Sequence, residues 1–149
     1  MTIGEICNRE TIFVTRETSV QEAARIMREK HVGDLVVVEE KGVRRLPVGM
    51  VTDRDLVIEI LAKDVNPAAL TVGDVMNTDL LTAQENDDNY LTMQRMRAKG
   101  VRRLPVVDVG GTLVGIVTID DFLDLLASEL TALARLVSNE QRRERRRRT

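Results

Sequence analysis

Gly49-Met50-Val51-Thr52-Asp53-Arg54-Asp55 and Gly115-Ile116-Val117-Thr118-Ile119-Asp120-Asp121 share one pattern: glycine, two apolar residues, threonine, two variable residues, aspartate. Each stands where an apolar run of strand character (Leu46 to Val51, Leu113 to Val117) gives way to a run with helical spacing (Leu56 to Leu61, Phe122 to Leu126). A hydroxyl and a carboxylate are thus placed together at a strand-to-helix junction, twice.

The duplication extends beyond the junctions. Thr2-Ile3-Gly4-Glu5-Ile6-Cys7 matches Thr71-Val72-Gly73-Asp74-Val75-Met76 at an offset of 71 − 2 = 69, and Lys30-His31-Val32 matches Lys99-Gly100-Val101 at the same offset. The junctions are offset by 115 − 49 = 66, so the first copy holds three extra residues between Val32 and Gly49, expected in a loop around Glu39 to Arg45. The string GVRRLPV occurs at 42–48 and again at 100–106, an offset of 58 that misaligns every other match. Its first copy is read as that loop and the start of a strand, its second as a strand following a helix.

Each repeat has one layout. A helical turn (Ile3–Cys7; Val72–Met76) precedes a brief strand (Thr11–Thr15; Leu80–Ala83). A helix follows, opened by the capping box Ser19-Val20-Gln21-Glu22 in the first copy and capped by Asp87 or Asp88 in the second. The apolar strand (Leu35–Val38; Leu104–Val107), a hairpin at Lys41-Gly42 or Gly110-Gly111, the junction strand and a second helix complete it. The expected fold is mixed α/β: two β-α-β-β-α repeats, over 1–66 and 67–137, packed sheet to sheet about a pseudo-two-fold axis. Each half is marginal alone, and packing the two together buries what each exposes.

Of 149 residues, 43% are hydrophobic but only 2% aromatic, so the core must be aliphatic. No apolar run approaches the roughly 18 residues that span a bilayer, and Met1 to Glu5 lack the basic-then-apolar form of a signal peptide. The expectation is a cytoplasmic protein without a membrane partner. Cys7 and His31 are each alone, so neither a disulfide, a zinc site nor a nucleophile–base pair is visible, and the expectation is no metal, no catalytic residue and no enzyme. Net charge is −2, yet residues 141–149 carry six arginines and one glutamate, 6 − 1 = +5, leaving −2 − 5 = −7 for the rest. Residues 138–149 are expected to be a disordered basic tail.

The Thr-x-x-Asp junction admits two uses. Thr52 with Asp55, and Thr118 with Asp121, can be capping boxes that close the first turn of a helix. Alternatively, the carboxylate accepts both hydroxyls of a vicinal diol such as ribose, the threonine adds a polar contact, the glycine lets a ligand approach the backbone, and helix N-terminal amides favour a phosphate. Diol and phosphate together describe a nucleotide.

The stretches TSVQEAARIMREKHVGDLVVV, VGMVTDRDLVIEIL, KGVRRLPVVD and LVGIVTIDDFLDLL resemble a tandem pair of cystathionine β-synthase (CBS) domains, a Bateman module, from Thr2 to about Leu136. The resemblance implies a regulatory module that binds adenosine-containing ligands between its repeats. AMP, ADP or ATP lead, ahead of S-adenosylmethionine and NAD. It implies that Asp55 and Asp121, with Thr52 and Thr118, hold ribose. It implies adenine slots from Val14, Thr15, Val32 and Gly33, and from Thr82, Ala83, Val101 and Pro105. Arg54, Arg102 and Arg103 are the candidates for phosphate, because guanidinium grips it with paired hydrogen bonds. Arg102-Arg103 align with Gly33-Asp34, so the two sites carry unequal charge. The resemblance also implies a homodimer formed through the repeat helices, and signalling by a change of shape or of downstream partner. Two other readings stand beside it: a nucleic-acid binder acting through the arginine tail, and a structural dimerisation module whose junctions are only caps.

Overall fold

The computed structural model describes residues 1–148. Its elements run α1 (Ile3–Ile6), β1 (Phe13–Val14), α2 (Val20–Lys30), β2 (Asp34–Lys41), β3 (Arg44–Thr52), α3 (Asp53–Leu56, continued by a π-helical turn Val57–Leu61), α4 (Val72–Val75), β4 (Ala83–Gln84), α5 (Asn89–Lys99), β5 (Arg103–Val107), β6 (Leu113–Thr118) and α6 (Ile119–Arg148). They form two three-stranded sheets of order β1-β2-β3 and β4-β5-β6. In each, the middle strand is parallel to the first and antiparallel to the third. This is the mixed α/β duplication expected. No helix of the described residues is long and apolar enough to cross a membrane.

Local chemistry sets these elements. Ser19 Oγ accepts the Glu22 N–H at 3.1 Å and Asp88 Oδ2 accepts the Leu91 N–H at 3.0 Å, so both long helices are capped. Helix α2 ends on His31 and α5 on Gly100, equivalent positions (31 + 69 = 100), both left-handed at φ 55° and 75°. The two copies of GVRRLPV adopt different structures. Gly42, at φ 64°, makes the tight turn between β2 and β3, whereas Gly100 terminates α5.

The extra residues of the first repeat do not form the expected loop. They lengthen β2 and β3, which stay paired out to Glu40–Arg45 and Lys41–Arg44. The turn Gly42-Val43 is tight enough to keep both strands in register, and Glu40 opposite Arg45 places opposite charges across the pair. The early strand of the second repeat is shifted as well: β4 begins at Ala83, leaving Leu80 and Leu81 outside the sheet.

The halves are joined by exchanging their first turns. Ile3 of α1 is fully buried among Ala83, Met96, Leu104, Val106, Val117 and Phe122 of the second repeat. Val72 of α4 is equally buried among Val14, Ala23, Met27, Leu35, Val37 and Val51 of the first. Backbone bonds fix the exchange: Gly4 N–H to Glu85 O at 2.9 Å, and Gly73 N–H to Arg16 O at 2.9 Å. Between the sheets lie Val36, Val38 and Leu113, flanked by Phe13, Met50 and Ile116. Each repeat's core is therefore incomplete without a piece of the other.

The C-terminal residues also differ from expectation. Helix α6 continues through the arginine run to Arg148 instead of ending near Val137. Arginine is a good helix former, positive charge suits a helix C-terminus, and Glu144 pairs with Arg148 one turn on at 2.7 Å.

Candidate functional site

The capping box is complete at the first junction, and the second keeps the carboxylate half of it. Thr52 N–H donates to Asp55 Oδ2 at 2.9 Å and Asp55 N–H donates to Thr52 Oγ1 at 3.1 Å. Thr118 N–H and Thr118 Oγ1 both donate to Asp121 Oδ2, at 2.8 and 3.3 Å. Each cap uses one carboxylate oxygen. Among the described residues Oδ1 of Asp55 and of Asp121 makes no hydrogen bond, so capping leaves an acceptor to spare. The two uses of the motif are compatible.

The glycine of the motif serves a different purpose from the one its sequence suggested. A Cβ on Gly49 would lie 2.6 Å from the backbone oxygen of Asn77, and one on Gly115 would lie 2.8 Å from Cys7 Sγ and 3.0 Å from Asn8 O. Asn8 and Asn77 are equivalent (8 + 69 = 77) and each forms a two-way backbone bridge to the other repeat: Asn77 with Met50 at 2.8 and 3.0 Å, Asn8 with Ile116 at 2.9 and 2.9 Å. The glycines make room for this crossing of the chain, not for a ligand.

The crossing brings the first junction against the second repeat. A cavity of about 450 Å³, within the usual range of ligand pockets, lies between them. From the first repeat it is lined by Gly33, Asp34, Met50, Thr52, Asp53, Arg54 and Asp55; from the second, by Asn77, Asp79, Leu80, Leu81, Val101, Arg102, Arg103 and Leu104. Thr52, Asp55, Arg54, Gly33, Val101, Arg102 and Arg103, nominated separately from sequence, thus share one cleft. Its apolar wall comes from Met50, Leu80, Leu81, Val101 and Leu104. Its cationic side is Arg54 and Arg102, both exposed. Arg103 is engaged: its Nη1 donates to Asp34 Oδ1 at 2.9 Å and its Nε meets Oδ2. Burial pushes the Asp34 carboxyl up; the Arg103 charge and hydrogen bond oppose this, and Asp53 adds to it.

The remaining nominated residues stand elsewhere. Val14 and Ala83 are buried in the cores of the first and second repeat, 4% and 1% exposed, so their side chains cannot line a slot. Val32 packs on the first core. Pro105 is buried in β5 opposite Ile116. Thr15 bonds locally to Thr18, and the Thr82 carbonyl accepts from Arg95 Nη2 at 2.9 Å. Thr118 and Asp121 lie outside the cavity, at the symmetry-related junction. There the positions facing it from the other repeat, equivalent to Arg102 and Arg103, are Gly33 and Asp34 (102 − 69 = 33, 103 − 69 = 34), while Arg102 and Arg103 adjoin it within its own repeat, Arg103 opposite Thr118 and the Arg102 carbonyl accepting from Ile119 N–H at 2.9 Å. Sequence reading missed Met50, Asn77, Asp79, Leu80 and Leu81. The one available signal was the Asn8/Asn77 equivalence in the two linkers.

A family model described as CBS domain matches residues 3–62 and 72–128. The chain is 37% identical over 119 residues to the CBS domain-containing protein YhcV of Bacillus subtilis, covering 80% of this chain and 81% of that one. It is 36% identical over 125 residues to uncharacterized protein MK0525 of Methanopyrus kandleri, covering 84% of this chain and 62% of the relative, so it spans under two thirds of that protein. It superposes on the crystal structure of the CBS domain pair of protein MJ0100, in complex with 5′-methylthioadenosine and S-adenosyl-L-methionine. That match has a TM-score of 0.73 and 26% identity, and covers 87% of this chain and 98% of the other. The exchanged first turns, the doubled junction and these matches agree: the chain belongs to the CBS domain family and carries two CBS domains.

Proposed function

We propose that this chain is a non-catalytic regulatory module that binds an adenosine-containing ligand, with AMP, ADP or ATP preferred, in the cleft between the Thr52–Asp55 junction and the second repeat. One observation carries the reading: a free carboxylate oxygen, an apolar wall and two exposed guanidinium groups converge on a single cavity of about 450 Å³. Asp55 Oδ1 and Thr52 would take the ribose hydroxyls, Leu80, Leu81 and Val101 the base, and Arg54 and Arg102 the phosphate. The adenosine-type ligands bound by the MJ0100 pair support the nucleoside half of this assignment. The arginines favour a phosphorylated nucleoside over a sulfonium one, because they attract anions. Bound ligand bridges both repeats, and the signal is a change in their relative packing or in a partner that reads it.

The test is a thermal-shift series with AMP, ADP, ATP, S-adenosylmethionine and NAD. A ligand at about 100 times its dissociation constant adds roughly 2.7 kcal/mol, a rise on the order of 5–10 °C for this size. Asp55→Ala should abolish the shift and cost about 1 kcal/mol as a lost cap. Asp121→Ala should cost the same stability and keep the shift. No shift with any of the five compounds removes the proposal and leaves the junctions as caps.

A further inference from the structure

The cleft is not simply cationic. Among the described residues its charged lining is Arg54, Arg102 and Arg103 against Asp34, Asp53, Asp55 and Asp79, 3 − 4 = −1. Two of these carboxylates are held by cations. Asp79 Oδ1 accepts from Lys99 Nζ at 2.6 Å, and Arg103 grips both oxygens of Asp34, Nη1 on Oδ1 at 2.9 Å and Nε on Oδ2. Arg54 and Arg102 are exposed and lie outside these pairs.

The duplication puts the Asp34–Arg103 pair at the centre. The two positions are equivalent (34 + 69 = 103), and equivalent residues that touch each other straddle the pseudo-two-fold axis. Asp34 stands opposite Thr52 in its sheet and Arg103 opposite Thr118, so the pair lies between the two junctions. Asp34 is only 11% exposed, and the Asp53 charge acts on it with the same sign. A ligand that drew Arg103 away would therefore strand a buried carboxylate without its counter-ion.

We infer that Asp34 is a built-in competitor of ligand phosphates for Arg103, a positioning residue that restricts the cleft to ligands carrying a single phosphate. The inference rests on the reading of this cleft as the nucleotide site and narrows it. One phosphate is served by Arg54 and Arg102, whose guanidinium groups grip it without disturbing the pair. Further phosphates must compete with Asp34 for Arg103. A stranded buried charge costs more than one charge-assisted hydrogen bond returns, so the competition favours the pair.

Calorimetric titration of the full chain with adenosine, AMP, ATP and inorganic tripolyphosphate, free of divalent metal, decides it. Wild type should bind AMP about tenfold or more tighter than ATP. Asp34→Asn should tighten ATP and tripolyphosphate by about tenfold, keep AMP within about threefold and leave adenosine unchanged. The smaller Asp34→Ser should shift ATP in the same direction. Asp34→Asn combined with Arg103→Gln should return ATP and tripolyphosphate to the wild-type level or below, because Asp34 acts through Arg103. A wild type that binds ATP as tightly as AMP, or an Asp34→Asn variant with an unchanged ratio of ATP to AMP affinity, overturns the inference. So does a double variant that keeps the gain, which would mean that Asp34 repels phosphate directly. Failure of the nucleotide reading looks different: neither adenosine nor a nucleotide binds wild type or variant. Tripolyphosphate then decides alone, and equal or absent binding to wild type and Asp34→Asn overturns the inference.

Discussion

Arg103 and Asp34 occupy equivalent positions in the two repeats (34 + 69 = 103) and pair with each other, Arg103 Nη1 donating to Asp34 Oδ1 at 2.9 Å. The duplication has diverged at this position to opposite charges, so the pair ties one repeat to the other at the rim of the cleft. Asp34 is 11% exposed and Arg103 37%.

Burial outweighs Arg103 in setting the Asp34 carboxyl, which is raised from its ordinary range. An acid whose folded pKa lies above its unfolded one costs stability when ionised. That cost is absent below the unfolded pKa, grows as pH rises past it, and is complete above the folded one. The stability of wild type relative to Asp34→Asn should therefore fall from about pH 4 to pH 7, measured by urea denaturation across that range. A difference that grows with pH would mean that Arg103 dominates. Arg103→Ala, which leaves the carboxylate without its partner, should cost about 2 kcal/mol, less than the roughly 3–5 of a fully buried pair because the guanidinium is partly solvated.

The two motif glycines are not equally replaceable. In Gly49→Ala the new methyl meets the Asn77 backbone oxygen at 2.6 Å, and backbone cannot rotate away. A loss of about 3 kcal/mol or more is expected, with the Met50–Asn77 bridge broken. In Gly115→Ala the nearest atom is Cys7 Sγ at 2.8 Å, a side chain that can move. Cys7→Ala should restore part of the Gly115→Ala loss in a double-mutant cycle and none of the Gly49→Ala loss. Equal rescue of both would refute this account.

Helix α5 buries polar groups where α2 buries apolar ones. Asn89 and Thr92 are 8% and 1% exposed, and among the described residues Thr92 Oγ1 and both side-chain polar atoms of Asn89 lack partners. Their equivalents are Val20 and Ala23 (20 + 69 = 89, 23 + 69 = 92). Thr92→Val removes the unpaired hydroxyl at constant shape and should stabilise by about 1 kcal/mol in denaturant titration. Destabilisation would reveal an ordered water bonded to Oγ1.

His31, the single histidine, holds a left-handed helix cap at φ 55° where the second repeat has Gly100. A side chain there costs roughly 1–2 kcal/mol, part of which glycine gives back as unfolded-chain entropy. His31→Gly should raise stability by about 0.5–1 kcal/mol without altering ligand response. A loss of stability would indicate an imidazole contact that the backbone geometry does not account for.

The fold was legible because it is local and doubled. Offsets of 69 and 66, alternation from strand to helix, and Ser19 or Asp88 at a cap depend on neighbouring residues, and two copies of each signal reinforce one another. Thr52 and Asp55 could be named as a pair because three residues is one helical turn. What sequence could not supply is which half each element completes. The exchange of α1 and α4, and the backbone bridges that pack Asn77 against Gly49, are contacts across the chain, set by which apolar face remains uncovered after each repeat folds. That exchange alone places Leu80, Leu81, Arg102 and Arg103 opposite the first junction. It also withdraws Val14 and Ala83 into the cores, since a two-residue strand pairing with a buried one must turn one side chain inward. Local order follows from spacing along the chain. The cleft exists only where two incomplete cores close on each other.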